Sequence, residues 1–174
     1  WKKNASIGAL SGPSFAKELM EQLPSCVTLA SCNQQLLKTV APMLHSSYFR
    51  IYDSEDIIGV EVGGALKNVI AMIAGAVDGL ELGYNARAAV ITRGLSEIAR
   101  VGVRLGANPL TFLGLSGVGD LILTCTGDLS RNRQFGFRLA RGESKEAIIA
   151  GMGGIIEGFT TAKSAYELIN KYSI

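Results

Sequence analysis

One histidine, three cysteines and four prolines are all that the 174 residues contain of these types, and each scarcity closes off some chemistry. Cys26, Cys32 and Cys125 form no CxxC pair and no cluster with His45, so no metal site is expected. The thiols read instead as small buried hydrophobes in a reducing compartment. No lysine or arginine run exceeds two and the formal net charge is only +2, which excludes the basic surface that nucleic acid requires. No apolar run reaches the roughly 18 residues that span a bilayer, because Lys67, Asp78 and Glu81 interrupt the best stretch. Trp1-Lys2-Lys3-Asn4 precedes no signal-peptide core, so membrane insertion is not expected and the cytoplasm is the expected compartment. The sequon Asn4-Ala5-Ser6 then reads as a chance match. Dinucleotide fingerprint, phosphate-binding P-loop, zinc-protease helix and nucleophile elbow are all missing. Gly114, Gly117 and Gly119 have the wrong spacing for the first, and after Gly151 and Gly153 the third glycine is replaced by Ile156.

What is present is apolar and helical. Hydrophobic residues make up 48% of the chain, enough for a globular core. Three strand-like runs come early, Ala5 to Leu10, Cys26 to Ala30 and Tyr48 to Tyr52. Between them lie helical patterns over Phe15 to Gln22, capped by Ser14, and Gln34 to His45, capped by Asn33. After residue 54 helical periodicity takes over, through roughly 56–80, 86–105, 110–114, 117–124, 131–141, 145–151 and 161–172. The composition shift at Asp53-Ser54-Glu55-Asp56 marks the expected junction between an α/β portion, 1–54, and an all-helical portion, 55–174. In the helix over 86–105, Arg87, Arg93, Glu97, Arg100 and Arg104 oppose Val90, Ile91, Leu95 and Ile98, with Arg93 and Glu97 spaced for an ion pair.

Four clusters carry candidate chemistry. In Gly63-Gly64-Ala65-Leu66-Lys67-Asn68 a lysine borders an apolar stripe at 62, 66, 69, 70, 73 and 77. It either snorkels or offers a partly desolvated amine that exchanges protons. In Gly117 to Thr124, Asp120 and Thr124 share a helical face, and Asp120 is either site chemistry or a charge favourable to a helix start. Ser130-Arg131-Asn132-Arg133 opens a helix, where free N–H groups and a guanidinium fork suit phosphate. The alternative there is a solvated arginine pair beside a capping serine. Gly12-Pro13-Ser14-Phe15-Ala16 is either a ligand loop at a strand end or an ordinary chain breaker.

Taken in order, Leu10 to Glu18, Gly59 to Asn68, Asn85-Ala86-Arg87-Ala88-Ala89, Gly114 to Thr124 and Ser130 to Arg133 closely resemble the bacterial-type NAD(P)-dependent glycerol-3-phosphate dehydrogenases. The resemblance implies a mainly α fold, an all-helical substrate and catalytic domain preceded by a short α/β remnant of a Rossmann-type cofactor domain. It implies interconversion of sn-glycerol 3-phosphate and dihydroxyacetone phosphate with NAD or NADP, supplying phospholipid synthesis. By the same resemblance Lys67 is the proton acceptor and donor, with Asp120, Asn68 and Thr124 beside it. Gly12, Ser14, Ser130, Arg131 and Asn132 join Lys67 and Asp120 as substrate contacts, and Ala16, Arg131, Ile155 and Glu157 are cofactor contacts. A homodimer is left open.

The family's amino-terminal Rossmann portion would precede Trp1 and its carboxyl end would continue past Ile174, so the 174 residues alone are expected not to turn over. Two rival readings stand beside this one. A β-hydroxyacid or 6-phosphogluconate dehydrogenase places its asparagine a helical turn after the lysine, where this chain has Ala71. A non-catalytic helical binding or dimerisation module is the other.

Overall fold

The computed structural model describes residues 5–153 and 155–172; Asn4 of the sequon, and the residues at either end, lie outside that range. Strand β1 (Ala9–Ser11) runs antiparallel to β2 (Ser25–Ala30), which pairs in parallel with β3 (Phe49–Ser54) in the order β1-β2-β3. β1 starts later than the expected Ala5, because Gly8 precedes it and Ser31 Oγ takes up the Ile7 carbonyl at 2.6 Å. Between the strands lie α1 (Ala16–Met20) and α2 (Gln34–Leu44). Asn33 caps α2 as expected, its side chain accepting from Gln35 and Leu36 N–H. Ser14 does not cap α1: its hydroxyl donates to the Gly12 carbonyl at 2.9 Å, and Phe15 occupies the cap position instead.

The remainder is helical: α3 (Ile57–Gly79), α4 (Gly83–Arg104), a 3-10 turn (Pro109–Leu113), a π-helical turn (Leu115–Gly119), α5 (Asp120–Thr126), α6 (Arg131–Ala140), α7 (Lys145–Met152) and α8 (Glu157–Tyr172). The centre is α3, against which α4, α5, α6 and α8 all pack. Its length and apolarity would suffice to cross a bilayer, despite the interruption expected from Lys67 and Asp78; here most of its residues are buried or half-buried, with Ile58 and Ile73 exposed. A helix covered on several sides needs no single stripe; of the expected one Val77 is buried and Val62, Leu66 and Ile70 pack against the core. Ile73 is exposed, whereas Val60, Gly63, Ala71, Ala74 and Gly75 are buried. At 100° per residue those five surround Lys67, which therefore stands on a small-residue face as well as beside the apolar stripe of Leu66, Ile70 and Val77.

Small residues serve close packing there. A Cβ on Gly75 would stand 1.9 Å from the Arg133 carbonyl oxygen, and one on Gly136 would stand 1.8 Å from that of Met72. So α3 and α6 cross backbone to backbone. The apolar core proper gathers Ala71, Ala74, Ile98, Phe112, Leu121 and Cys125. Of the three thiols only Cys125 fits the buried expectation; Cys26 is half-buried and Cys32 exposed. Burial pushes the Cys125 thiol up to about 12, against the opposing charges of Arg133 and Arg87.

Candidate active site

An open cleft of about 530 Å³ lies where the end of β1, α3, α5 and the start of α6 converge. Lys67 enters it from the small-residue face of α3. Its Nζ pairs with Asp120 Oδ2, with side-chain exposures of 21% and 4%. Asp120 is the first residue of α5, as the sequence predicts, but the π-helical turn runs directly into it, so it does not occupy a free helix end. That geometry disfavours the dipole explanation. Its carboxylate is held from two further sides. Ser11 Oγ donates to Oδ2 at 3.3 Å, and Thr124, one turn along α5, places Oγ1 3.3 Å from Oδ1 while donating to the Asp120 carbonyl at 2.6 Å.

An ammonium has three N–H bonds to give. Among the described residues Asp120 is the only partner of Lys67, which leaves donors for a ligand oxygen. Asn68 lines the cleft beside it. One turn on, Ala71 is wholly buried, so the position where the 6-phosphogluconate type carries its asparagine is closed by packing.

The opposite wall is the start of α6. Ser130 caps the helix by accepting from Arg133 N–H at 3.3 Å, and its own hydroxyl proton remains to be donated. Arg131 donates through Nη2 to the Ile155 carbonyl, yet its Nε is buried and, among the described residues, the one buried side-chain N or O atom without an acceptor. Such an atom costs on the order of 1–3 kcal/mol until something accepts from it. A phosphate oxygen would. Asn132 is buried and structurally engaged: Oδ1 accepts from Gly158 N–H at 2.9 Å and Nδ2 approaches Glu157 Oε2 at 3.5 Å. It therefore ties α6 to the start of α8, four residues earlier than periodicity places that helix.

The remaining wall comes from the α/β portion. Gly12 and Ser14 both line the cleft, and the φ of +147° at Gly12 is open to glycine and strained for other residues. On α3 a Cβ at Gly64 would meet Ser11 Oγ at 3.0 Å, so two small residues keep the floor clear. Glu157 lines the cleft, whereas Ala16 and Ile155 do not. Ala16 follows the cleft-lining Phe15 on α1, and Ile155 enters only through the carbonyl that Arg131 grips. Ser11 was not among the expected site residues; a lone strand serine carries no signal of a partner 109 positions away. Arg133, two residues from Arg131, turns away from the cleft to Asp78 and Asp128. Among the described residues no three His, Cys, Asp or Glu side chains gather as a metal site.

The chain is similar to known proteins along nearly its whole length. Residues 56–174 match the family described as NAD-dependent glycerol-3-phosphate dehydrogenase C-terminus. The chain is 54% identical over 165 residues to a glycerol-3-phosphate dehydrogenase [NAD(P)+] of Syntrophotalea carbinolica, covering 95% of this chain and 50% of that protein. It is 52% identical over 171 residues to the protein of the same name from Leptospira biflexa, covering 98% and 51%. The crystal structure of glycerol-3-phosphate dehydrogenase from Coxiella burnetii superposes with a TM-score of 0.95 at 44% identity, over 97% of this chain and 52% of that one. The chain thus spans about half the length of the curated relatives it matches.

Proposed function

The chain belongs to the family of NAD-dependent glycerol-3-phosphate dehydrogenases, and from that premise we propose that its cleft is the substrate side of a site interconverting sn-glycerol 3-phosphate and dihydroxyacetone phosphate. The observation that carries the reading is the pairing, in one cleft, of a lysine with unspent donors and an arginine with a buried, unpartnered Nε. Arg131 and Ser130 take the phosphate, which sets the three-carbon skeleton across the cleft with its C2 oxygen at Lys67. In reduction the Lys67 ammonium donates to the ketone oxygen and hydrogen-bonds the charge that develops there. In oxidation the Lys67 amine takes the C2 hydroxyl proton as the C2–H leaves as hydride. Asp120, fixed by Ser11 and Thr124, orients Nζ; Asn68 completes the polar wall.

When bound, NAD or NADP supplies the hydride acceptor or donor. The wall that would meet it, beside the α/β portion, is small at Gly12 and Gly64, which lets a dinucleotide approach the backbone closely. Ala16, Arg131, Ile155 and Glu157 are the residues proposed to hold it. Residues 1–54 are then the end of a cofactor domain and 55–174 the substrate domain of a cytoplasmic enzyme that supplies glycerol 3-phosphate for phospholipid synthesis. The test is calorimetric titration of the natural protein with dihydroxyacetone phosphate. Arg131→Ala is expected to weaken binding about 100-fold, as loss of a charge-assisted contact does; unchanged binding would remove Arg131 from the phosphate site.

A further inference from the structure

Beyond the cleft, on the same face of α3 and about three turns past Lys67, Asp78 sits in a cluster for which the chemistry above has no use. Its carboxylate accepts from Arg133 Nε at 3.1 Å and Nη2 at 2.7 Å, both to Oδ2. From α4, Arg87 Nη1 reaches Oδ1 at 3.1 Å and Oδ2 at 3.0 Å. Arg133 also donates through Nη1 to Asp128 on the link into α6, at 3.0 Å. Two guanidinium groups and two carboxylates are thus joined across three helices and a loop.

We propose that Asp78 is a positioning residue for the phosphate end of the site, acting through Arg133 to aim the first turn of α6. This rests on the reading of the cleft given above. The α3–α6 crossing is a close backbone contact running from Gly75, against the Arg133 carbonyl, to Gly79, against the Phe137 carbonyl and Ala140, and contacts between such small residues set how near the two helices lie. The Arg133 fork on Asp78 is a second, directional contact. With both made, Arg131, two residues earlier on α6, stands at a fixed angle toward the cleft that Lys67 enters from α3. Arg87 holds the Asp78 carboxylate in the orientation the fork needs.

Because Asp78 touches no substrate, its loss is expected to show in phosphate recognition and not in the proton step. In the natural protein Asp78→Asn should raise KM for dihydroxyacetone phosphate about tenfold and leave kcat within about twofold, since a misplaced anchor costs binding geometry. It should weaken inorganic phosphate binding in calorimetry by a like factor, and leave the rate on dihydroxyacetone, which has no phosphate, unchanged. Arg133→Lys keeps the charge but not the fork, and should move the same quantities in the same direction; it carries the test if Asp78→Asn does not fold. Equal losses on both substrates, or phosphate binding at full strength in the folded variant, would overturn the proposal. Arg131→Ala measured alongside separates the two levels: if it leaves phosphate binding intact the cleft reading fails, and the role of Asp78 with it.

Discussion

Two acid–base groupings occupy one face of α3, Lys67 with Asp120 and Asp78 with Arg87 and Arg133. The cations Lys67 and Arg87 have the same side-chain exposure, 21%, and the carboxylate at the cleft is the more buried of the two, 4% against 14%. Burial therefore does not tell them apart. Hydrogen-bond capacity does: four guanidinium contacts fall on the Asp78 carboxylate, whereas Lys67 spends itself on one oxygen and keeps donors in hand. A saturated cluster fixes a scaffold, and an unsaturated one that faces a cleft has room for a reaction. The same contrast recurs within three residues of α6, where Arg131 keeps an idle buried Nε and Arg133 leaves none of its three nitrogens idle.

The sharpest way to break this contrast is to exchange the consequences of mutation. Lys67→Ala is expected to lower kcat of the natural protein by about 10²- to 10⁴-fold in the folded variant, over and above the stability lost by leaving the buried Asp120 carboxylate without its cation, as NADH oxidation and thermal melts would show. Asp78→Ala should leave the proton step alone and act on stability: leaving Arg87 without a carboxylate and Arg133 with Asp128 alone costs about 3 kcal/mol, read from urea unfolding. If Lys67→Ala unfolds the protein while Asp78→Ala melts normally, the two groupings have been assigned the wrong way round. Gly136→Ala, which drives a methyl into the Met72 carbonyl, should cost on the order of 1–3 kcal/mol.

Cys125 reports on the space between the groupings. Its folded-state thiol is raised from 9.0 to about 12, so the stability it contributes is whole below pH 9 and is lost as pH climbs toward 12. Between pH 8 and 10.5 the parent should therefore lose roughly 2 kcal/mol more than Cys125→Ala, and a folded protein should be alkylated at exposed Cys32 before Cys125. The smallest effect belongs to the exposed pairs of α4. Glu97→Gln removes contacts to Arg93 and Arg100 and should change stability by no more than about 1 kcal/mol.

Local signals in the sequence carried far and stopped at definite places. The cap at Asn33, the Arg93–Glu97 spacing and the helical run after residue 54 all appear as expected, because each depends on neighbours a few positions apart. The helical face on which Lys67 stands was not legible from apolar spacing. Its buried members are mostly glycine and alanine, which pattern analysis counts weakly, and what buries them is backbone from α6. Ser11 escaped because hydroxyls in strands carry no mark of a distant acceptor. The start of α8 escaped because glycines around 151–154 read as an interruption, while the bond that seats the helix, Gly158 N–H to Asn132, spans 26 positions. Of the proposed site, the helical pattern placed Lys67, Asp120 and Arg131 on helices; only the folded arrangement distinguishes the idle donor from the engaged one.

The cap of α3 has a mechanical consequence. Asp56 accepts not only from Gly59 N–H, as a helix cap does, but also from Asn108 N–H at 2.9 Å and Thr111 Oγ1 at 2.6 Å. One carboxylate at the passage from sheet to helices thus clasps a segment more than fifty positions away. Bending there would strip a charged acceptor of three donors at once, so the passage behaves as a stiff joint and not as a hinge. Removing that acceptor in Asp56→Ala should speed deuterium exchange at the Gly59 and Asn108 amides together.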